Sequence, residues 1–113
     1  MKHNSMTYYL GTETVICVKP VSVDKFVSGM ILSSGAWEKN IVNLVLKAMD
    51  LYKTAVFLDI GANIGIYTVL VAATKREVVA VDAMLENLAY ISHSLNISAT
   101  SQFVKLLGNP VRC

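Results

Sequence analysis

The chain has little from which to build a disulfide-stapled, metal-binding or nucleic-acid-binding protein. Among its 113 residues there are two cysteines, two prolines and one tryptophan, and only 16% are charged. Cys17 and Cys113 lie far apart without CxxC spacing. Neither a disulfide framework nor a thiolate metal cluster is expected, and a reduced, cytoplasmic chain is the reading that follows. No zinc-type spacing and no nucleophile–base pair can be picked out. Ten basic and eight acidic residues leave a net +2. They divide as six and four over residues 1–54 and four and four over residues 55–113, so no basic stripe forms. Nucleic acid and anionic membrane are therefore not expected as partners. The longest apolar run, residues 64–73, is far short of the roughly 20 residues that cross a bilayer, and the first residues lack a signal peptide's apolar core. No membrane span is expected.

What the chain does have is apolar surface to bury. Hydrophobic residues make up 54% of it, which argues against disorder and for one dense domain. Such richness suits parallel strands, which are buried on both faces and read as unbroken apolar runs. It equally suits a piece of a larger domain whose remainder would cover part of this surface.

In chain order, residues 14–18 predict a short strand, with Tyr8, Tyr9 and Leu10 as its hairpin partner. Asp24 is placed to cap a short helix running toward Leu32. Residues 36–52 are helical by period, with Trp37, Ile41, Leu44, Val45, Ala48 and Met49 on the expected buried stripe and Ser34 as the expected cap. From residue 55 the pattern becomes strand, helix, strand, helix, strand: residues 55–60, about 63–74, 78–82, about 86–96 and 103–107. In the second of these helices Leu88, Ile91, Ser92 and Leu95 are expected to face inward, and Lys75 and Arg76 form a solvated turn. Short connections in this order imply parallel strands with right-handed crossovers, hence an α/β layered fold. In such sheets ligands sit beyond the carboxyl ends of the strands. Asp59 and Asp82 both lie at such ends, as does a glycine-containing loop.

That loop reads Asp59-Ile60-Gly61-Ala62-Asn63-Ile64-Gly65. Gly61 and Gly65 permit positive φ and close approach, and the backbone N–H groups of such a turn are expected to point into ligand space. The phosphate-binding pattern GxxxxGK[ST] is absent. The dinucleotide pattern GxGxxG fails too, because Asn63 stands where the second glycine belongs. Asp59 would repel a pyrophosphate but could accept hydrogen bonds from an ammonium group. Asp82 follows 82 − 59 = 23 residues on, near the roughly 20-residue offset at which an acid grips ribose hydroxyls. An ammonium on one acid and a ribose on the other describe S-adenosylmethionine.

The words Leu58-Asp59-Ile60-Gly61-Ala62-Asn63-Ile64-Gly65 and Val79-Ala80-Val81-Asp82, then Glu86-Asn87-Leu88-Ala89, resemble the class I S-adenosylmethionine-dependent methyltransferases, and more narrowly the FkbM family. Upstream, Val27-Ser28 and Gly35-Ala36-Trp37-Glu38 are similar to the stretch before that family's first strand. The resemblance covers about residues 24–111. It implies a Rossmann-like fold of which the first three parallel strands and their helices are present, preceded by a helix and a short strand. Residues 1–35 would be a lead-in, and residues 36–113 the N-terminal half of a methyltransferase domain. It further implies methyl transfer, on oxygen, to a small-molecule or glycan-like acceptor. Asp59, Gly61, Ala62, Asn63 and Gly65 would line the methionine end of the cofactor. Asp82 would hold the ribose, Met84 and Asn109 would lie near the adenine, and Glu38 close to the cofactor. The family has Glu-Pro where this chain has Asp82-Ala83, and its fold continues through further strands that would carry the acceptor site and any catalytic base. Two rivals stand beside this reading. One is a non-catalytic half-domain that binds cofactor or self-associates through the uncovered edge of its first parallel strand. The other is an NAD-binding oxidoreductase.

Overall fold

The structure, a computed structural model, describes residues 3–9, 12–24, 27–34 and 38–108. Expectations for Trp37, Asn109 and Cys113 lie outside the described residues.

Two antiparallel strands open the chain, β1 (His3–Tyr9) and β2 (Thr12–Val18), paired from His3 opposite Val18 to Tyr9 opposite Thr12. The expected hairpin is present, with longer strands than its apolar core suggests. Helix α1 (Val27–Ser34) starts where Asp24 accepts hydrogen bonds from the backbone N–H of Val27 and Ser28 and from the Ser28 hydroxyl, at 3.2, 3.0 and 2.8 Å. These satisfy donors that a helix leaves orphaned at its first turn.

Helix α2 (Lys39–Leu51) begins later than expected. Ser34 ends α1 rather than capping α2, and Glu38 takes the N-cap place with left-handed backbone (φ 48°, ψ 47°). The buried stripe is also displaced. Val42, Leu46 and Met49 are buried, whereas Ile41 and Leu44 are 48% and 65% exposed and Ala48 is exposed. The helix carries two overlapping apolar stripes that share the half-buried Val45 and the buried Met49, and packing against β1 and α3 selects between them. Arg76 decides where α2 stops. Its guanidinium donates to the carbonyls of Met49, Tyr52 and Ala55, so it is a half-buried anchor and not the solvated turn residue expected.

The remaining elements are β3 (Phe57–Ile60), α3 (Ile66–Ala73), β4 (Val78–Val81), α4 (Leu85–Ser98), a 3-10 turn (Ser101–Phe103) and β5 (Val104–Leu107). The three strands form a parallel sheet in the order β3-β4-β5, with Asp59 beside Ala80 and Ala80 beside Leu106. The chain is thus α/β, with three parallel strands flanked by helices. Both crossovers advance in the same direction across the sheet, so right-handedness puts α3 and α4 on one face. The hairpin strand β2 lies against both helices from the far side. Cys17 N–H donates to Ser94 Oγ at 2.8 Å, and the hydroxyls of Thr14 and Ser98 meet at 2.9 Å. Ser94, not Ser92, is the buried serine of α4.

Helix α3 therefore has protein on every side, which is why Ile66, Thr68, Val69, Leu70, Val71 and Ala72 are all buried. Ile16, Val18, Ile31 and Val42 from the first half of the chain join Ile64, Val69, Ala80, Ile91 and Leu95 in one contiguous core. The opposite sheet face is uncovered among the described residues. Leu58, Ile60 and Leu107 are 57%, 74% and 42% exposed there. No helix among the described residues is long and apolar enough to cross a membrane.

Candidate functional site

Asp59, one residue before the end of β3, is buried under the first turn of α3 and accepts a hydrogen bond from Thr68 Oγ1 at 2.7 Å. Burial raises its pKa above the usual aspartate value; hydrogen bonds from Thr68 oppose this, and the charge of Asp82 adds to it. Thr68 did not stand out in the sequence. Its signal was there, since a hydroxyl inside an otherwise apolar, buried run needs a partner.

The loop after Asp59 turns through three positive-φ residues, Gly61 (72°), Asn63 (57°) and Gly65 (93°). Four of its N–H groups, those of Gly61, Ala62, Asn63 and Gly65, are held within the protein and not turned toward ligand space as expected. Gly61 and Ala62 both donate to the carbonyl of Val81, Asn63 donates to Asp82 Oδ2, and Gly65 donates to the carbonyl of Ala62. The two glycines differ. A Cβ on Gly61 would meet nothing within 4 Å, whereas one on Gly65 would come within 2.7 Å of the Ile91 side chain. Gly61 leaves its space open above the loop, and Gly65 lets α3 and α4 pack.

Asp82, at the end of β4, is 8% exposed and ties three segments together. Oδ2 accepts from Asn63 N–H at 2.8 Å, and Oδ1 accepts from Met84 N–H at 2.9 Å and from Asn87 Nδ2 at 3.1 Å. A carboxylate has about four acceptor sites, so roughly one remains for a ligand hydroxyl. Asn87 is buried and its side chain is part of this junction.

A cavity of about 250 Å³ opens at the end of β3, lined by Val27, Glu38, Asp59–Ile64, Ile66 and Tyr67. Of the residues singled out in the sequence, Asp59, Gly61, Ala62, Asn63 and Glu38 meet in it. Gly65 and Asp82 stand behind it as supports. Met84, 53% exposed in the turn before α4, lies outside its lining. The Tyr67 ring sits 6.5 Å from that of Phe57, and its hydroxyl donates to Glu38 Oε1 at 2.8 Å. The lining holds two carboxyl groups and no lysine, arginine or histidine. Among the described residues no group of His, Cys, Asp and Glu is placed to hold a metal ion.

Fold and site define the class: an α/β chain with an acid-lined cavity beyond the carboxyl end of its first parallel strand. Compared with models of known protein families and with curated proteins, the chain matches none.

Proposed function

We propose that this cavity takes the amino-acid end of S-adenosylmethionine, and that the chain serves S-adenosylmethionine-dependent methyl transfer. One observation carries the reading. The N–H groups of Gly61, Ala62, Asn63 and Gly65 are spent on Val81, Asp82 and Ala62, and the charged groups on the cavity lining are carboxyls. A lining with two carboxyl groups and no lysine, arginine or histidine disfavours a phosphate, which weighs against the dinucleotide rival, and it suits a ligand's ammonium group. The cavity lies below the roughly 300 Å³ of a site for a whole drug-sized ligand, so it fits one end of such a molecule. Gly61, Ala62 and Asn63 would line that end, braced from beneath by Asp59, with the open space over Gly61 admitting it. Asp82 would offer its remaining acceptor site to the ribose. When bound, the cofactor supplies a methyl carbon on a positively charged sulfur. The chain's part is to hold the amino-acid end still and to position that carbon. An oxygen acceptor on a small or glycan-like molecule follows from the FkbM resemblance alone.

Titration calorimetry with S-adenosylhomocysteine and with NAD tests the reading. Binding of the first without the second is expected; binding of NAD alone would sink it. A second reading rests on the outer edge of β3, which has no partner strand among the described residues, and on the exposure of Leu58 and Ile60: a cofactor-binding half-domain completed by another chain. Tight S-adenosylhomocysteine binding with no methyl transfer would favour that version.

A further inference from the structure

Two carboxyl groups face one cavity, and their surroundings differ in a way that assigns them different work. Asp59 is 7% exposed, and Thr68 holds its Oδ2 from the protein side. Glu38 is exposed at the other wall, on the rim formed where α2 begins. Among the described residues Glu38 has no ion-pair partner; the one such pair is Lys53 with Asp50. The Tyr67 hydroxyl donates to Glu38 Oε1 and so fixes the carboxylate over the cavity, and the ring of Tyr67 is steadied against Phe57. The backbone at Glu38 is left-handed, a conformation that costs a non-glycine residue free energy and is often retained at functional positions.

We propose that Glu38, held by Tyr67, is the acid that takes the ligand's ammonium group, while Asp59 supports the loop from beneath. The assignment rests on the reading of the cavity as the amino-acid end of a nucleoside cofactor site. Glu38 stands exposed on the cavity rim, whereas burial and the neighbouring Asp82 both disfavour charge on Asp59. Glu38 is the positive-ligand contact, and Tyr67 is a positioning residue that acts through it.

The test compares two probes that share the nucleoside thioether and differ at the amino-acid end: S-adenosylhomocysteine and 5′-methylthioadenosine, which lacks the ammonium. Calorimetry on the full chain should show that Glu38→Gln weakens S-adenosylhomocysteine by about tenfold, the size of a lost charge-assisted bond, and leaves methylthioadenosine within about twofold. Asp59→Asn should change the two probes by the same factor, since a brace beneath the loop does not distinguish them. Tyr67→Phe should weaken S-adenosylhomocysteine by about threefold, and that loss should vanish in the Glu38→Gln background, which a packing role would not produce. Thermal melts of each variant report folding independently of binding. A tenfold loss in Asp59→Asn with none in Glu38→Gln overturns the assignment and leaves the cofactor reading standing. Failure of the wild-type chain to bind either probe overturns both.

Discussion

Asp59 is the residue whose environment is least expected of a surface-loop acid. The folded chain holds its proton more tightly than the unfolded chain does, because burial disfavours the charged form. Stability from this group is therefore fully present below the ordinary aspartate value and is lost as pH rises through the raised one. Asp59→Asn, which still accepts from Thr68, should melt higher than the wild type at pH about 7, and the gap should close toward pH about 4. Equal melting temperatures throughout would show that Asp59 is solvated in the folded state. The two loop glycines give a second contrast. Gly65→Ala combines a strained φ with a 2.7 Å approach to Ile91 and should cost about 2–4 kcal/mol in urea unfolding. Gly61→Ala has the strain without the clash and should cost about 1–2 kcal/mol, while filling the space the ligand would use.

Elements here are held by a few long side chains as much as by the core. Arg76, from the turn between α3 and β4, gathers three carbonyls, those of Met49, Tyr52 and Ala55, that α2 and the following turn would otherwise leave to water. Arg76→Ala should lower stability by about 2–3 kcal/mol, read as a lower urea midpoint at unchanged slope. Arg76→Lys should recover little of it, since a single ammonium cannot reproduce the spread of a guanidinium fork. Complete recovery by lysine would mean that charge, not geometry, anchors α2. At this scale the sequence is readable for β3, β4, β5 and the hairpin, because short apolar runs bounded by turn residues leave few alternatives. It misleads for α2. Ile41, Leu44 and Ala48 form as good a stripe as Val42, Leu46 and Met49, and only the neighbours β1 and α3 choose between them.

For the molecule as a whole, the uncovered sheet face is the dominant fact. Leu58, Ile60 and Leu107 stand on it, beside an outer edge of β3 that has no partner strand among the described residues. Apolar side chains next to an open edge favour association between copies. Sedimentation of the isolated chain should show mass rising with concentration, and Leu58→Lys should reduce that rise with little change in melting temperature. A sharp, cooperative melt of a strictly monomeric wild type would count against this expectation.

Local patterning was enough to define the strand–loop–helix around Asp59, the parallel order of the three later strands and the failure of both phosphate-binding patterns. These depend on neighbours in sequence: an acid after four apolar residues, and asparagine where bare backbone is needed. The partners within the site belong to tertiary structure. Thr68 reaching Asp59, Asn87 and the Asn63 N–H meeting on Asp82, and Tyr67 steadying Glu38 join residues 9, 5, 19 and 29 positions apart. No periodicity encodes such pairings. They arise because a right-handed crossover lays α3 over the end of β3, and because the parallel register sets the end of β4 beside the loop, where each buried polar group has to find a partner.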